Sequence, residues 1–293
     1  MPYQLFIDYL SFEKRSSAHT ITAYKKDLEQ FFQYLQTHYQ VSSPKEVENT
    51  FVRSWMAHLM ENGISAKAIN RKLSSLRSFF TYLLKQGILD KNPLSKIIAP
   101  KISKRLPAFV PKNSIDELFE NIHFSDDFTG KRDQLILDVF YSTGIRLSEL
   151  INIKQSDIDT SNKTIKVLGK RNKERILPVH ETLLLKINEF LKFTDANIKT
   201  TENYLFLTEK GKKIYPRLVY TIVNTYLSRV ATISQKSPHV LRHTFATHML
   251  ENGADINAIK ELLGHSSLSA TQVYTHNTIE KLKNVYDKAH PRG

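Results

Sequence analysis

"NPLSKIIAPKISKRLPAFVPKN", residues 92–113, divides the chain. Pro93, Pro100, Pro107 and Pro111 lack backbone donors and disfavour helix, so no continuous helix runs through this stretch. Lys101, Lys104, Arg105 and Lys112 make it basic. We read 93–113 as an extended interdomain linker, suited to lie along a phosphate backbone.

On its N-terminal side, residues 1–92 read as all helix. After the cap signal Ser16-Ser17, Ile21, Tyr24, Leu28, Phe31 and Leu35 recur at helical spacing. "FVRSWMAHLMENG" turns Val52, Trp55, Met56 and Leu59 inward and stops at Gly63. The next helix opens on Ser65 and ends at Gly87, with Ile69, Leu73, Leu76, Phe80 and Leu83 as its apolar stripe. Its other face carries Lys67, Asn70, Arg71, Ser74 and Arg77. Basic and short polar groups so interleaved suit phosphate contacts, and a plain solvated face has the same composition.

On the C-terminal side a second domain covers 114–293. Ser114 with Glu117 three residues on reads as a capping box. "GKRDQLILDVFYSTG" is a buried helix ending at Gly144, and "IRLSELINI" is a further short helix. The period then switches. "KTIKVLGKRNKERILPV" runs inward through Ile165 and Val167, turns at Gly169–Asn172 and returns through Ile176 and Val179. That is a β-hairpin with cations crowded at its turn. "YLFLTEKGKKIY" reads as a short strand and turn, and helices follow at about 216–232, 239–252, 255–263, 268–275 and 278–288. The fold class is therefore mainly α in two domains: an N-terminal helical bundle, then an α-rich domain with a small antiparallel β-sheet.

The 293 residues exceed what one core usually absorbs. No apolar run is long enough to span a membrane, and the N-terminus lacks the pattern of a signal peptide. With no cysteine there are no disulfides, thiolate metal sites or thiol nucleophiles, which fits a reducing cytoplasm. The net charge is +13 and the sequence pI about 9.6, so a polyanion, nucleic acid first, is the expected partner.

The chemistry concentrates in a few stretches. "SPHVLRHTFATHML", residues 237–250, holds His239, Arg242, His243 and His248. A metalloprotease helix with His239 and His243 as ligands would need Glu at 240, where Val stands, and Arg242 would repel a cation. An anion grip by Arg242, with His239 as proton donor or acceptor, accounts better for the stretch. His243 and His248 are expected either to be structural or to support the groups that touch the anion. "TGIRLSEL" puts Arg146 after a glycine break at a helix start, where its guanidinium either forks onto phosphate or pairs with Glu149. "LGKRNKER" puts Lys170 at the hairpin tip, either as a mobile cation or as part of a solvated turn. "LLGHSSLSATQVYTH" carries His265 and Tyr274, and a lone helical tyrosine is ordinarily core packing.

In this order, "TGIRLSEL", "VLGKRNKER", "SPHVLRHTFATHML", "LLGHSS" and "VYTH" resemble the tyrosine site-specific recombinases of the phage-integrase family. The ending "VYDKAHPRG" is similar to that of the family's Xer branch. The resemblance spans essentially the whole chain. It implies that 1–92 is a core-binding, SAM-like DNA-binding domain and 114–293 the catalytic domain with a C-terminal tail helix. It implies catalytic roles for Arg146, Lys170, His239, Arg242, His265 and the nucleophile Tyr274. It implies cleavage and rejoining of DNA through a 3′-phosphotyrosine, with no cofactor and no metal. DNA contacts are expected from Lys67, Asn70, Arg71, Ser74, Arg77, Lys101, Lys104, Arg105, Arg171, Lys173 and Arg175.

The expected partner is a double-stranded recombination site, held by a homo- or hetero-tetramer on two such sites, with a paralogous recombinase and a DNA translocase as candidate partners and no membrane. The expected role is resolution of chromosome or plasmid dimers. The tail helix, with Ile279, Leu282 and Val285 in register, docks either on a neighbouring protomer, as the resemblance implies, or on its own domain. A mobile-element integrase, a type IB topoisomerase and a non-catalytic DNA-binding accessory protein are the alternatives. The first helix begins within a few residues of Met1, so no arm-binding domain of the kind many such integrases carry is expected.

Neutralising phosphates releases counterions, so DNA affinity is expected to fall steeply as salt rises. A plot of log Kd against log salt with no slope would overturn the nucleic-acid reading.

Overall fold

The computed structural model describes residues 3–102, 108–169, 174–233, 235–264 and 276–291, with the backbone alone at 276–279 and 281. The chain forms two compact units, Met1–Arg105 and Leu106–Gly293.

The first unit is helical. Helix α1 (Gln4–Asp8) runs into a π-helical turn, Tyr9–Glu13. Helices α2 (Ala18–Tyr39), α3 (Asn49–Glu61) and α4 (Ala66–Lys85) follow. The serine caps act as the sequence suggests: Ser17 Oγ accepts from the Thr20 amide at 3.3 Å, and Ser65 Oγ from that of Ala68 at 3.4 Å. The stripes of α3 and α4 close on the same core, where Trp55 meets Phe31 edge to face with ring centres 5.0 Å apart.

The Pro-rich segment is anchored at both ends. Leu94 and Ile97 are buried in the first unit's core. Asn70 Nδ2 donates to the Pro100 carbonyl at 3.0 Å, and Arg77 Nη2 to that of Ile97 at 3.1 Å. At the other end Val110 is fully buried in the second unit, and its amide donates to Thr244 Oγ1 at 2.9 Å. Reading proline as a pure spacer missed the apolar residues between the prolines.

In the second unit α5 (Lys112–Glu120) starts straight after Pro111, two residues before the serine expected to cap it. Helix α6 (Phe128–Thr143) is capped by Asp127 and buried on all sides from Leu135 to Thr143, so it forms the centre of the unit. It ends at Gly144, whose φ of 59° is the left-handed conformation that glycine takes most readily. The single turn α7 (Leu147–Leu150) follows.

Strands β1 (Ile158–Asp159), β2 (Thr164–Leu168) and β3 (Glu174–Pro178) form an antiparallel sheet in the order β1-β2-β3. Ile165 pairs with Leu177 and Val167 with Arg175. The inner face of β3 is therefore Arg175 and Leu177. Ile176, expected inside, is only half-buried. A one-residue difference in register exchanges the two faces of a strand.

Helix α8 (Glu181–Asn197) has no counterpart in the sequence reading, although Leu183, Leu184, Ile187 and Phe190 carry its period. It packs on α6, with Lys186 Nζ 2.6 Å from the buried Asp138. The stretch read as a short strand forms a tight turn, with Leu207 bridged to Lys213. Helices α9 (Pro216–Val230), α10 (Pro238–Glu251), α11 (Ile256–Leu263) and α12 (His276–Ala289) complete the unit. The helix expected at 268–275 lies outside the described residues.

Helix α12 docks on its own unit. Leu282, Tyr286 and Ala289 share a core with Phe245, Met249 and Leu263. Tyr286 Oη donates to the Ser142 carbonyl at 2.8 Å, and His180 stacks on the Tyr286 ring with centres 4.5 Å apart. Among the described residues no helix is long and apolar enough to cross a membrane.

A Cβ at Gly144 would lie 2.5 Å from Phe245 Cδ1 and 2.8 Å from Leu263 Cδ2, besides holding a positive φ. Gly144→Ala is expected to cost about 2–4 kcal/mol, from left-handed strain plus overpacking. Urea unfolding checks this, and an unchanged midpoint would show that the α6–α7 corner adapts freely.

Candidate active site

The break at Gly144 sets Arg146 just before α7. Its amide donates to Glu149 Oε2 at 2.8 Å, and its Nη1 to Glu149 Oε1 at 2.9 Å. Its Nη2 reaches the Gly264 carbonyl at 3.0 Å. The two sequence alternatives for Arg146 are thus compatible: it is paired with Glu149, yet its side chain keeps 34 % exposure. The helix-dipole support expected for it is slight, because α7 is only 4 residues long.

Glu149 is the hub. Its side chain is 1 % exposed, and Arg175 grips it through Nη1 at 2.5 Å and Nη2 at 2.8 Å. Burial opposes its ionisation, but the hydrogen bonds and charge of Arg175, then Arg146, outweigh this and hold the carboxyl below its usual range. Arg175 was expected among the DNA-contacting cations of the hairpin. That placement is corrected: the register of β3 turns it inward, and it is 5 % exposed. Period-2 counting back from Val179 through Leu177 was the signal that would have found it.

Arg242 comes from α10 and is 6 % exposed. Nη1 donates to the Gly144 carbonyl and Nη2 to that of Leu263, each at 2.6 Å. Burial, then the like charges of Arg146 and Arg175, push its pKa down to about 9, so it is still a cation at neutral pH. Two guanidiniums, those of Arg146 and Arg175, thus bind one carboxylate, and Arg242 lies in the field of all three groups, so three cations face one anion in a partly desolvated corner. A tetrahedral oxyanion such as phosphate is the ligand chemistry that balances it.

His239, one turn before Arg242, is exposed at the start of α10. His243 is half-buried, and burial, then His239, lowers its pKa. His248 is buried, with Nδ1 2.9 Å from Tyr141 Oη, and burial likewise favours its neutral form. Lys170, Arg171 and Lys173 lie outside the described residues, as do His265, Tyr274, Lys104 and Arg105. Lys67, Arg71, Ser74 and Lys101 are exposed in the first unit, where Asn70 and Arg77 hold the Pro-rich segment. The carbonyls of Gly144, Leu263 and Gly264, which aim the arginines, were not singled out from sequence. Their only trace is the glycine in "STGIR" and in "LLGHS".

A two-unit helical fold with an arginine-lined anion corner defines a class. The family model described as the phage integrase family matches residues 108–281, and that of the phage integrase N-terminal SAM-like domain matches 3–87. The chain belongs to the phage integrase family. It is 39% identical to the tyrosine recombinase XerC of Thermodesulfovibrio yellowstonii, over 98% of this chain and 95% of the relative. With the tyrosine recombinase XerC of Chlorobaculum parvum the identity is 36%, over 98% and 93%.

Among solved structures it is similar to the XerH site-specific recombinase bound to palindromic difH substrate, with a TM-score of 0.71 and 20% identity, over 95% of this chain and 79% of that one. It is also similar to the Tn1549 transposon integrase in complex with circular intermediate DNA, with a TM-score of 0.70 and 20% identity, over 95% and 97%. The chain is a site-specific recombinase of the tyrosine type, an enzyme that cleaves and rejoins DNA.

Glu149→Gln leaves Arg146 and Arg175 without their anion and is expected to cost about 3–5 kcal/mol at neutral pH. The ion-pair contribution is complete above the unfolded carboxyl value of about 4.3 and is lost as pH falls through the lowered folded value. The stability gap between wild type and variant should therefore narrow on acidification. A gap that stays constant from neutral pH to below about pH 3 would contradict the charged hub.

Proposed function

We propose that Arg146 and Arg242 bind the non-bridging oxygens of the scissile phosphate and stabilise the charge of its pentacoordinate transition state. The observation that carries this is geometric: Arg146 and Arg175 converge on the one carboxylate of Glu149, and the buried Arg242 beside them is aimed by backbone carbonyls that leave its charge uncancelled. Tyr274 attacks phosphorus as the P–O5′ bond breaks, which leaves a 3′-phosphotyrosine and a 5′-hydroxyl. Lys170 delivers the proton to the leaving 5′-oxygen, His239 serves the tyrosine proton, and His265 donates a hydrogen bond to the phosphate. The 5′-hydroxyl of a partner strand then reverses the step. One phosphate ester replaces another, so the bond energy is retained and no nucleotide or metal is called for.

The units divide the work: the first is a core-binding DNA domain, the second the catalytic domain. Lys67, Arg71, Ser74 and Lys101 offer phosphate contacts in the first unit, and their exposure supports this. Four protomers act on two double-stranded recombination sites, as one chain or with a paralogous recombinase, in the cytoplasm and under a DNA translocase. Likeness to XerC proteins along almost the whole chain favours resolution of chromosome or plasmid dimers over mobile-element integration.

The test is a covalent-adduct assay on a nicked suicide site, after the 3′-phosphotyrosyl junction has been mapped on genomic DNA. Wild type is expected to form the adduct and Tyr274→Phe to form none. An adduct in Tyr274→Phe would overturn the nucleophile, and no adduct in wild type would overturn the reaction.

A further inference from the structure

A second buried carboxylate lies in the first unit. Asp27 of α2 is 1 % exposed and receives donors from three residues of α4. Its Oδ1 accepts from Arg71 Nη2 at 2.8 Å and from Lys72 Nζ at 3.2 Å. Its Oδ2 accepts from Arg71 Nη1 at 2.5 Å and from Ser75 Oγ at 2.8 Å. Lys72, itself buried, also donates to Gln30 Oε1.

Lys72 and Ser75 are enough to neutralise and hydrogen-bond Asp27. Arg71 is not needed for that, and its side chain is 51 % exposed. Buried ion networks seldom add stability over an apolar core of the same shape, so stability alone is a weak reason for this one. What the network does accomplish is to fix a guanidinium by its planar fork on a side chain that stays half exposed to solvent.

The surroundings match. Asn70, next to Arg71, holds the Pro100 carbonyl, and this brings the backbone before exposed Lys101 to the same stretch of α4. Arg77 repeats the attachment about two turns further on, at Ile97. Helix α4 and the start of the Pro-rich segment thus share a basic surface with Arg71 in it.

We propose that Asp27 is a positioning residue for DNA binding: it orders the Arg71 guanidinium in advance, so that Arg71 meets a phosphate without losing further side-chain freedom. This rests on the reading that the polar face of α4 meets DNA. The buried carboxylate contributes to affinity through Arg71 alone, since it reaches no surface of its own.

Full-length variants are tested on a mixed-sequence DNA duplex, with Kd measured across a salt series. Arg71→Gln should weaken binding about tenfold and lower the salt slope by about 1. Asp27→Asn is paired with Lys72→Met, because alone it strands a buried ammonium, and thermal melting checks that the pair is folded at the binding temperature. Asp27→Asn/Lys72→Met should weaken binding about threefold with the wild-type salt slope, because the cation remains but is no longer ordered. In the Arg71→Gln background the same pair should add no further loss. Wild-type affinity in the pair, or an equal loss with and without Arg71, would overturn the role of Asp27. Unchanged affinity and slope in Arg71→Gln would instead overturn the DNA-facing reading of α4.

Discussion

A buried carboxylate between like-charged guanidiniums governs the second unit. Arg146 and Arg175 would repel each other across the corner between α7 and β3 without Glu149. With it, the corner becomes a junction. Arg175 belongs to the sheet, Glu149 to α7, and Arg146 reaches across to the carbonyl that ends α11. Remove the carboxylate and β3 loses its fastening to α7, while Arg242 still ties the turn after α6 to the end of α11. The charge count of the corner is uneven, with one built-in anion beside three cations, a balance that suits a tetrahedral oxyanion.

Arg242 is held differently, and the difference matters. Its partners are backbone carbonyls at Gly144 and Leu263, which orient a guanidinium without cancelling its charge. Those carbonyls are placed by two helix ends, each finishing in a glycine of positive φ. Both ends are then backed by the tail helix. Tyr286 closes on the Ser142 carbonyl two residues before Gly144, and Leu282 and Ala289 share a core with Leu263. The position of α12 therefore bears on the aim of Arg242 through the two helix ends that orient it.

Much of this was legible. The capping serines of α2 and α4, the inward stripe of α3 and the break at Gly144 are local features. Each depends on residues within a few positions of one another, so spacing alone reveals them. The pairing of Arg146 with Arg242 came from resemblance, and in the structure their guanidiniums reach the adjacent carbonyls of Gly264 and Leu263. Other features stayed hidden. Arg175 sits in a run of cations that reads as a solvated turn, which masked the period-2 signal from Val179 and Leu177, and the register with Val167 shows that it points inward. Leu94 and Ile97 lie among prolines that suggest a spacer, but burial in the first core outweighs the local signal. Helix α8 follows a hairpin with no serine or glycine to announce it, so its period passed unread.

The amino-acid sequence by itself determined the class: periodicity and charge gave two basic, mainly helical halves with a small sheet, and the ordered motifs gave the resemblance to the tyrosine recombinases. Both are properties of a chain read in one dimension. Tertiary structure alone decided which charges neutralise one another. Glu149 with Arg175 is a contact across 26 residues, and Asp27 with Arg71 one across 44. An ion pair depends on distance and burial in space, and neither is written in the separation of two residues along the chain.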